Sequence, residues 1–67
     1  MISIKLNGKE HPLEASISLL ALLDSIGLAN KPVVVELNQK ALFPREYGEV
    51  TVVDGDQLEI ITIAAGG

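Results

Sequence analysis

Cysteine is absent from these 67 residues, and so is tryptophan. The first absence excludes a disulfide framework, a thiolate metal site and a cysteine nucleophile. The second, with one Tyr and one Phe, leaves a core to be built from Val, Ile, Leu and Ala. His11 is the sole histidine; it is too isolated for a metal site and, beside Pro12, is expected at the surface without a catalytic role. Positive charge is scarce: five Lys and Arg stand against nine Asp and Glu, a net charge of −4. The cations Lys5, Lys9, Lys31, Lys40 and Arg45 are scattered, so nucleic acid and anionic membranes should repel the chain. No apolar run approaches the roughly 20 residues that cross a bilayer. The opening MISIKLNGKE lacks the basic region and long apolar segment of a signal peptide. A soluble cytoplasmic protein is therefore expected.

What is present is a chain 48% hydrophobic, globular in composition rather than disordered. Its length suits one domain, and a chain this short buries only about 60% of the surface its unfolded form exposes. That leaves little room for an internal active site. No internal repeat, linker or low-complexity segment is visible.

ISIKL alternates, with Ile2, Ile4 and Leu6 on one face and Ser3 and Lys5 on the other, the pattern of a half-buried strand. Asn7-Gly8 then marks a two-residue hairpin turn, since both residues tolerate positive φ. A second strand is expected over about Lys9–Glu14, and Pro12 within it, having no N–H to donate, points to an edge or a bulge. From Ser16 the period changes. Leu19, Leu20, Leu22, Leu23 and Ile26 recur at spacings of three and four, predicting a helix over about Ser18–Ile26 with its leucine stripe in the core. Ser18 or Ser16 suits the N-cap and Gly27 the left-handed stop. A helix so short must be held by packing on a sheet.

Lys31-Pro32 restarts extended backbone. VVVELN, Val33–Asn38, reads as a strand whose three successive valines imply at least partial burial on both faces. Asn38-Gln39-Lys40 is a turn, followed by a short apolar piece, Ala41–Phe43. PREYGEV reads as a surface turn with one loose helical turn, where Arg45 and Glu46 are expected to make an ion pair or anchor the loop. Val50–Val53 leads into the tight turn Asp54-Gly55-Asp56, a better account of those two carboxylates than metal binding. QLEIITI is the last strand. The order strand, strand, helix, strand, short strand, strand describes an α+β architecture: a β-grasp domain, a mixed β-sheet with one helix packed on one face. The apolar first and last strands are expected side by side, in parallel, at the sheet centre.

The chain closes on IAAGG. Glycine loses more conformational freedom on folding than any other residue, so a Gly-Gly end either frays without purpose or serves something outside the domain. Ala64, Ala65, Gly66 and Gly67 are thin, and extended they project on the order of 13 Å, enough to enter a cleft. The domain is thus expected over 1–63, with a flexible tail at 64–67. Ile60 and Ile61 must point to opposite sheet faces. Ile61 with Ile63 then forms an exposed apolar strip beside the tail, a docking surface unless a loop or the short strand covers it.

Taken together, the hairpin near LNGKE, the helix SLLALLDSIGL, VELN followed by PRE and DGDQLEI, and the closing Gly66-Gly67 resemble the ThiS family. These are the sulfur carrier proteins of thiamin biosynthesis, in the ubiquitin-like β-grasp group. The resemblance covers the whole chain. It implies a protein substrate rather than an enzyme, with no cofactor or metal of its own. In such carriers an E1-like adenylyltransferase (ThiF-type) uses ATP to convert the C-terminal carboxylate, here that of Gly67, to an acyl-adenylate. Sulfur from a persulfide donor displaces the adenylate, and thiazole synthase (ThiG-type) consumes the resulting thiocarboxylate. The resemblance makes Gly66 the second position of the reacting motif; with the tail and the apolar strip read above, Gly66, Ala65, Ala64, Ile63 and Ile61 are the expected partner-binding residues, and the free chain is expected to be a monomer. A terminal carboxylate titrates near 3.3–3.7; ionised at neutral pH, it resists nucleophiles until activated. Three other readings stay open: the small subunit of molybdopterin synthase, a ubiquitin-like protein modifier, and a plain interaction domain.

Overall fold

The computed structural model describes residues 1–63. Strand β1 (Ile2–Leu6) turns through Asn7 and Gly8, at φ 51° and 82°, into β2 (Lys9–Leu13). Both turn residues adopt the left-handed backbone that a two-residue hairpin demands. Pro12 lies opposite Ser3 on β2, an edge strand of the five-stranded sheet β2-β1-β7-β4-β5, where a missing N–H leaves no partner unserved.

A two-residue strand β3 (Ile17–Ser18) enters the helix α1 (Leu19–Ser25). The helix is one residue shorter at each end than the periodicity predicts, because Ser18 and Ile26 are its caps. The Ser18 hydroxyl accepts from the Ala21 N–H at 3.0 Å. Leu19 N–H donates to the Val50 carbonyl at 2.8 Å and Leu20 N–H to that of Tyr47 at 3.1 Å. Three of the N–H groups that a helix start leaves unserved therefore find partners, two of them on a distant loop. Gly27, at φ +81°, ends the helix in left-handed backbone.

Strand β4 (Val33–Leu37) and β5 (Lys40–Leu42) form a second hairpin. A single 3₁₀ turn at Pro44–Glu46 follows, then β6 (Thr51–Val52) and β7 (Gln57–Thr62). Val50–Val53 is thus a strand over two residues only. It pairs antiparallel with β3, Ile17 against Val52, in a small sheet that sequence periodicity does not reveal. β7 sits at the centre of the large sheet, parallel to β1 and antiparallel to β4, as the two strongly apolar strands require.

The core lies between α1 and one sheet face: Ile4, Leu19, Leu22, Leu23, Val35, Tyr47, Val52, Leu58 and Ile60 are all buried. Three expectations need correction. Leu20, assigned to the core stripe, is 53% exposed, because a two-turn helix on a sheet buries a stripe only about one residue pair wide. Val34 points out at 44% exposure between half-buried Val33 and buried Val35, so the valine run is covered on one face. His11 is half-buried, placed opposite buried Ile4 on the inner face, rather than fully exposed.

Candidate functional site

The features the sequence singles out converge where β7 leaves the sheet. Along β7, Leu58 and Ile60 are buried while Gln57, Glu59 and Ile61 face out, as alternation requires. β1 stops at Leu6 while β7 runs on. There the Asn7 side chain takes over as a substitute strand: its Oδ1 accepts from the Ile60 N–H at 2.7 Å and its Nδ2 donates to the Ile60 carbonyl at 3.1 Å. On the other flank, Ile63 N–H donates to the Pro32 carbonyl at 2.9 Å. The chain is thus held by hydrogen bonds up to Ile63.

Ile61 and Ile63 are 63% and 51% exposed, so neither loop nor short strand buries the expected strip. Ile63 also borders an open hollow of about 420 Å³ between helix and sheet, lined by Leu20, Leu28, Pro32 and Tyr47 among others. Tyr47 closes its inner wall. The phenol hydroxyl donates to the Val33 carbonyl at 3.4 Å, and burial pushes its pKa up. Ala64, Ala65, Gly66 and Gly67, the residues expected to form the tail and carry the reacting carboxylate, lie outside the described residues.

The remaining polar candidates anchor main chain. Asp54 Oδ1 accepts from the Ser3 N–H at 2.8 Å, and Asp56 Oδ2 accepts from the Val53 N–H at 2.9 Å. Glu46 Oε1 accepts from the Phe43 N–H at 2.8 Å, the loop anchor expected of PRE. Arg45 instead stacks its guanidinium over the Phe43 ring, 4.9 Å from the centroid. Among the described residues, no group of three or more His, Asp or Glu side chains could hold a metal ion. Asn7 is the residue whose second role sequence reading missed. Its spacing signals only a turn, and no local pattern shows that its amide reaches β7.

The architecture is that of a β-grasp domain whose central strand carries an exposed apolar strip, Ile61 with Ile63, at its end. The chain belongs to the ThiS family, whose model matches residues 4–67. It is 35% identical to the sulfur carrier protein ThiS of Bacillus subtilis over 65 residues, 96% of this chain and 98% of that one. The fold matches the crystal structure of the thiamine biosynthesis protein ThiS from Geobacter metallireducens with a TM-score of 0.85 and 30% identity, covering 98% of this chain and all of that one. A thiazole synthase of Paramagnetospirillum magneticum is 36% identical over 66 residues, 98% of this chain. The chain spans only 20% of that relative's length.

Proposed function

We propose that this chain is the sulfur carrier for the thiazole of thiamin, a protein substrate and not a catalyst. The observation that supports it most is a family match that extends from residue 4 to Gly67. The described geometry is compatible with it: β7 is fixed on both flanks as far as Ile63, so whatever follows starts from a defined point. The carboxylate of Gly67 attacks the α-phosphate of ATP in an E1-like, ThiF-type adenylyltransferase, releasing pyrophosphate and forming the acyl-adenylate. A persulfide sulfur then adds to the acyl carbon and AMP leaves, forming an acyl disulfide; a thiol attacks the donor's sulfur in that S–S bond, leaving the thiocarboxylate and a disulfide between the thiol and the donor. Gly66, Ala65 and Ala64 thread the partner's cleft, and Ile61 and Ile63 dock beside its mouth.

A ThiG-type thiazole synthase is the acceptor. That relatives named thiazole synthase carry a stretch like this whole chain within a longer polypeptide favours carrier and synthase acting together. Among the described residues no helix is long and apolar enough to cross a membrane, and the reaction belongs in the cytoplasm.

The test is the intact mass after incubation with the adenylyltransferase, ATP and a persulfide source. The expected result is an increase equal to one oxygen exchanged for sulfur, abolished by deletion of Gly67 while the far-UV spectrum is unchanged. A ladder of conjugates in place of that increase refutes the carrier and identifies a protein modifier.

A further inference from the structure

Asn7 turns the first hairpin and also ties down β7, and the residue after it adds a reactive possibility. Of the three asparagines only Asn7 precedes a glycine; Asn30 precedes Lys31 and Asn38 precedes Gln39. A side-chain amide is open to attack by the backbone nitrogen of the following residue, and a glycine there offers no Cβ to obstruct the approach. Asn7 and Gly8 are both exposed, and a Cβ placed on Gly8 would meet nothing within 4 Å. The fold opposes the attack in one way. Oδ1 and Nδ2 of Asn7 are both engaged on Ile60, at 2.7 and 3.1 Å, so the amide must let go of β7 before it can swing back over its own chain. Asn38 supplies an internal comparison, since it shares the φ of 51° and an amide engaged at both ends but lacks the glycine.

We propose that Asn7 is a self-modification site gated by its own clamp on β7. Local opening of the strand end frees the amide, and the Gly8 nitrogen bonds to Cγ of Asn7. The Cγ–Nδ2 bond breaks, and Nδ2 leaves as ammonia with the proton that the Gly8 N–H gives up through solvent. Water then opens the cyclic imide. Addition at Cγ gives aspartate, whereas addition at the backbone carbonyl carbon of residue 7 gives isoaspartate, with the chain rerouted through the side chain and lengthened by one methylene. Nothing is oxidised or reduced, and water is the sole co-reactant. The aspartate still accepts from the Ile60 N–H but sets a carboxylate oxygen against the Ile60 carbonyl, where Nδ2 had donated. Isoaspartate displaces the group altogether and misfits a two-residue turn. Since β1 pairs with β7 only at Gln57 and Leu58, either product leaves β7 past Leu58 held from its β4 flank. The ammonia is lost, so the release is permanent, and the net charge of −4 becomes one unit more negative.

The experiment ages the full chain at mildly alkaline pH, folded and in denaturing urea, and follows each asparagine by peptide-mapping mass spectrometry. Asp54-Gly55 can close the same ring only by losing water, so loss of ammonia reports on asparagine alone. The Asn7 peptide is expected to exchange ammonia for water roughly ten- to hundredfold more slowly in the folded chain, because two hydrogen bonds must first open. Asn38 should stay intact in both conditions. Gly8→Ala, compared in urea because φ +82° strains alanine in the folded turn, should slow the exchange at Asn7. Anion exchange separates the more acidic product from unreacted chain of the same age, and the product should melt roughly 4–8 °C lower. Equal rates at Asn7 in the folded and unfolded chain overturn the gating. An Asn7 amide that survives in urea, an Asn38 that reacts there as fast, or a Gly8→Ala chain that reacts as fast as wild type overturns the site. A product that melts with the unreacted chain overturns the release of β7.

Discussion

Two asparagine side chains tie down the central strand. Asn7 brackets Ile60 with both ends of its amide, while Asn38 accepts from the Gln57 N–H at 2.9 Å and donates to Asp56 Oδ1 at 3.1 Å. Both sit at φ 51°, a conformation that asparagine tolerates better than most residues. The turn and the clamp can be separated at Asn7, because Asn7→Gly keeps the turn and removes only the amide. Losing two partly buried hydrogen bonds at roughly 0.5–1.5 kcal/mol each should cost about 1–3 kcal/mol, read from denaturant unfolding. Amide exchange at Ile60 should accelerate with it. An Asn7→Gly protein as stable as wild type would mean that water replaces the amide at no cost. Tyr47 carries a pH dependence of determinate sign. Its pKa is raised from 10.0 by burial, so above pH 10 the unfolded chain loses the phenol proton before the folded one does. The unfolded state then binds fewer protons, and stability falls as pH rises. That stability is fully present below pH 10 and is lost as pH climbs through the folded value. Melting curves from pH 8 to 11.5 should show the decline, and Tyr47→Phe should flatten it.

At the level of elements, legibility followed the length of the local signal. The first hairpin shows itself because Asn7-Gly8 is flanked by alternation, and the helix because five apolar residues keep its period. Ser18 and Gly27 mark its ends to within two residues of the observed bounds. β3 and β6 are invisible in sequence, since two residues carry no period and their pairing exists only once the chain has come round. The apolar rim at Ile61 was legible from the clash of Ile60 and Ile61 on one strand. Its neighbour Val34 was not, because only register places it there. The second hairpin is the weakest local match to its structure. Gln39 sits at φ 70° after Asn38 at 51°, a turn that prefers glycine at its second position. Gln39→Gly should therefore raise stability by about 0.5–1 kcal/mol despite glycine's added freedom in the unfolded chain. A lower midpoint in denaturant would show that the Gln39 side chain contributes contacts outweighing its backbone strain.

The molecule as a whole is a sheet with a helix on one face and solvent on the other, and that asymmetry can be read by comparing two adjacent isoleucines. Ile60 is 5% exposed and belongs to the core; Ile61 is 63% exposed and belongs to the outer face. The truncation Ile60→Ala leaves a cavity beneath the helix and should cost about 2–5 kcal/mol. At roughly 0.05–0.15 kcal/mol per residue a domain of this size has only about 3–10 kcal/mol to lose, so this variant should be largely unfolded at modest temperature. Ile61→Ala removes the same atoms one residue along and should stay within about 0.5 kcal/mol of wild type. Binding reverses the order: with the adenylyltransferase present, Ile61→Ala should bind weakly while folded, and whatever fraction of Ile60→Ala is folded should bind normally. Equal loss of stability in the two variants would mean that the outer face is covered in solution, and both the one-sided architecture and the docking surface would have to be abandoned.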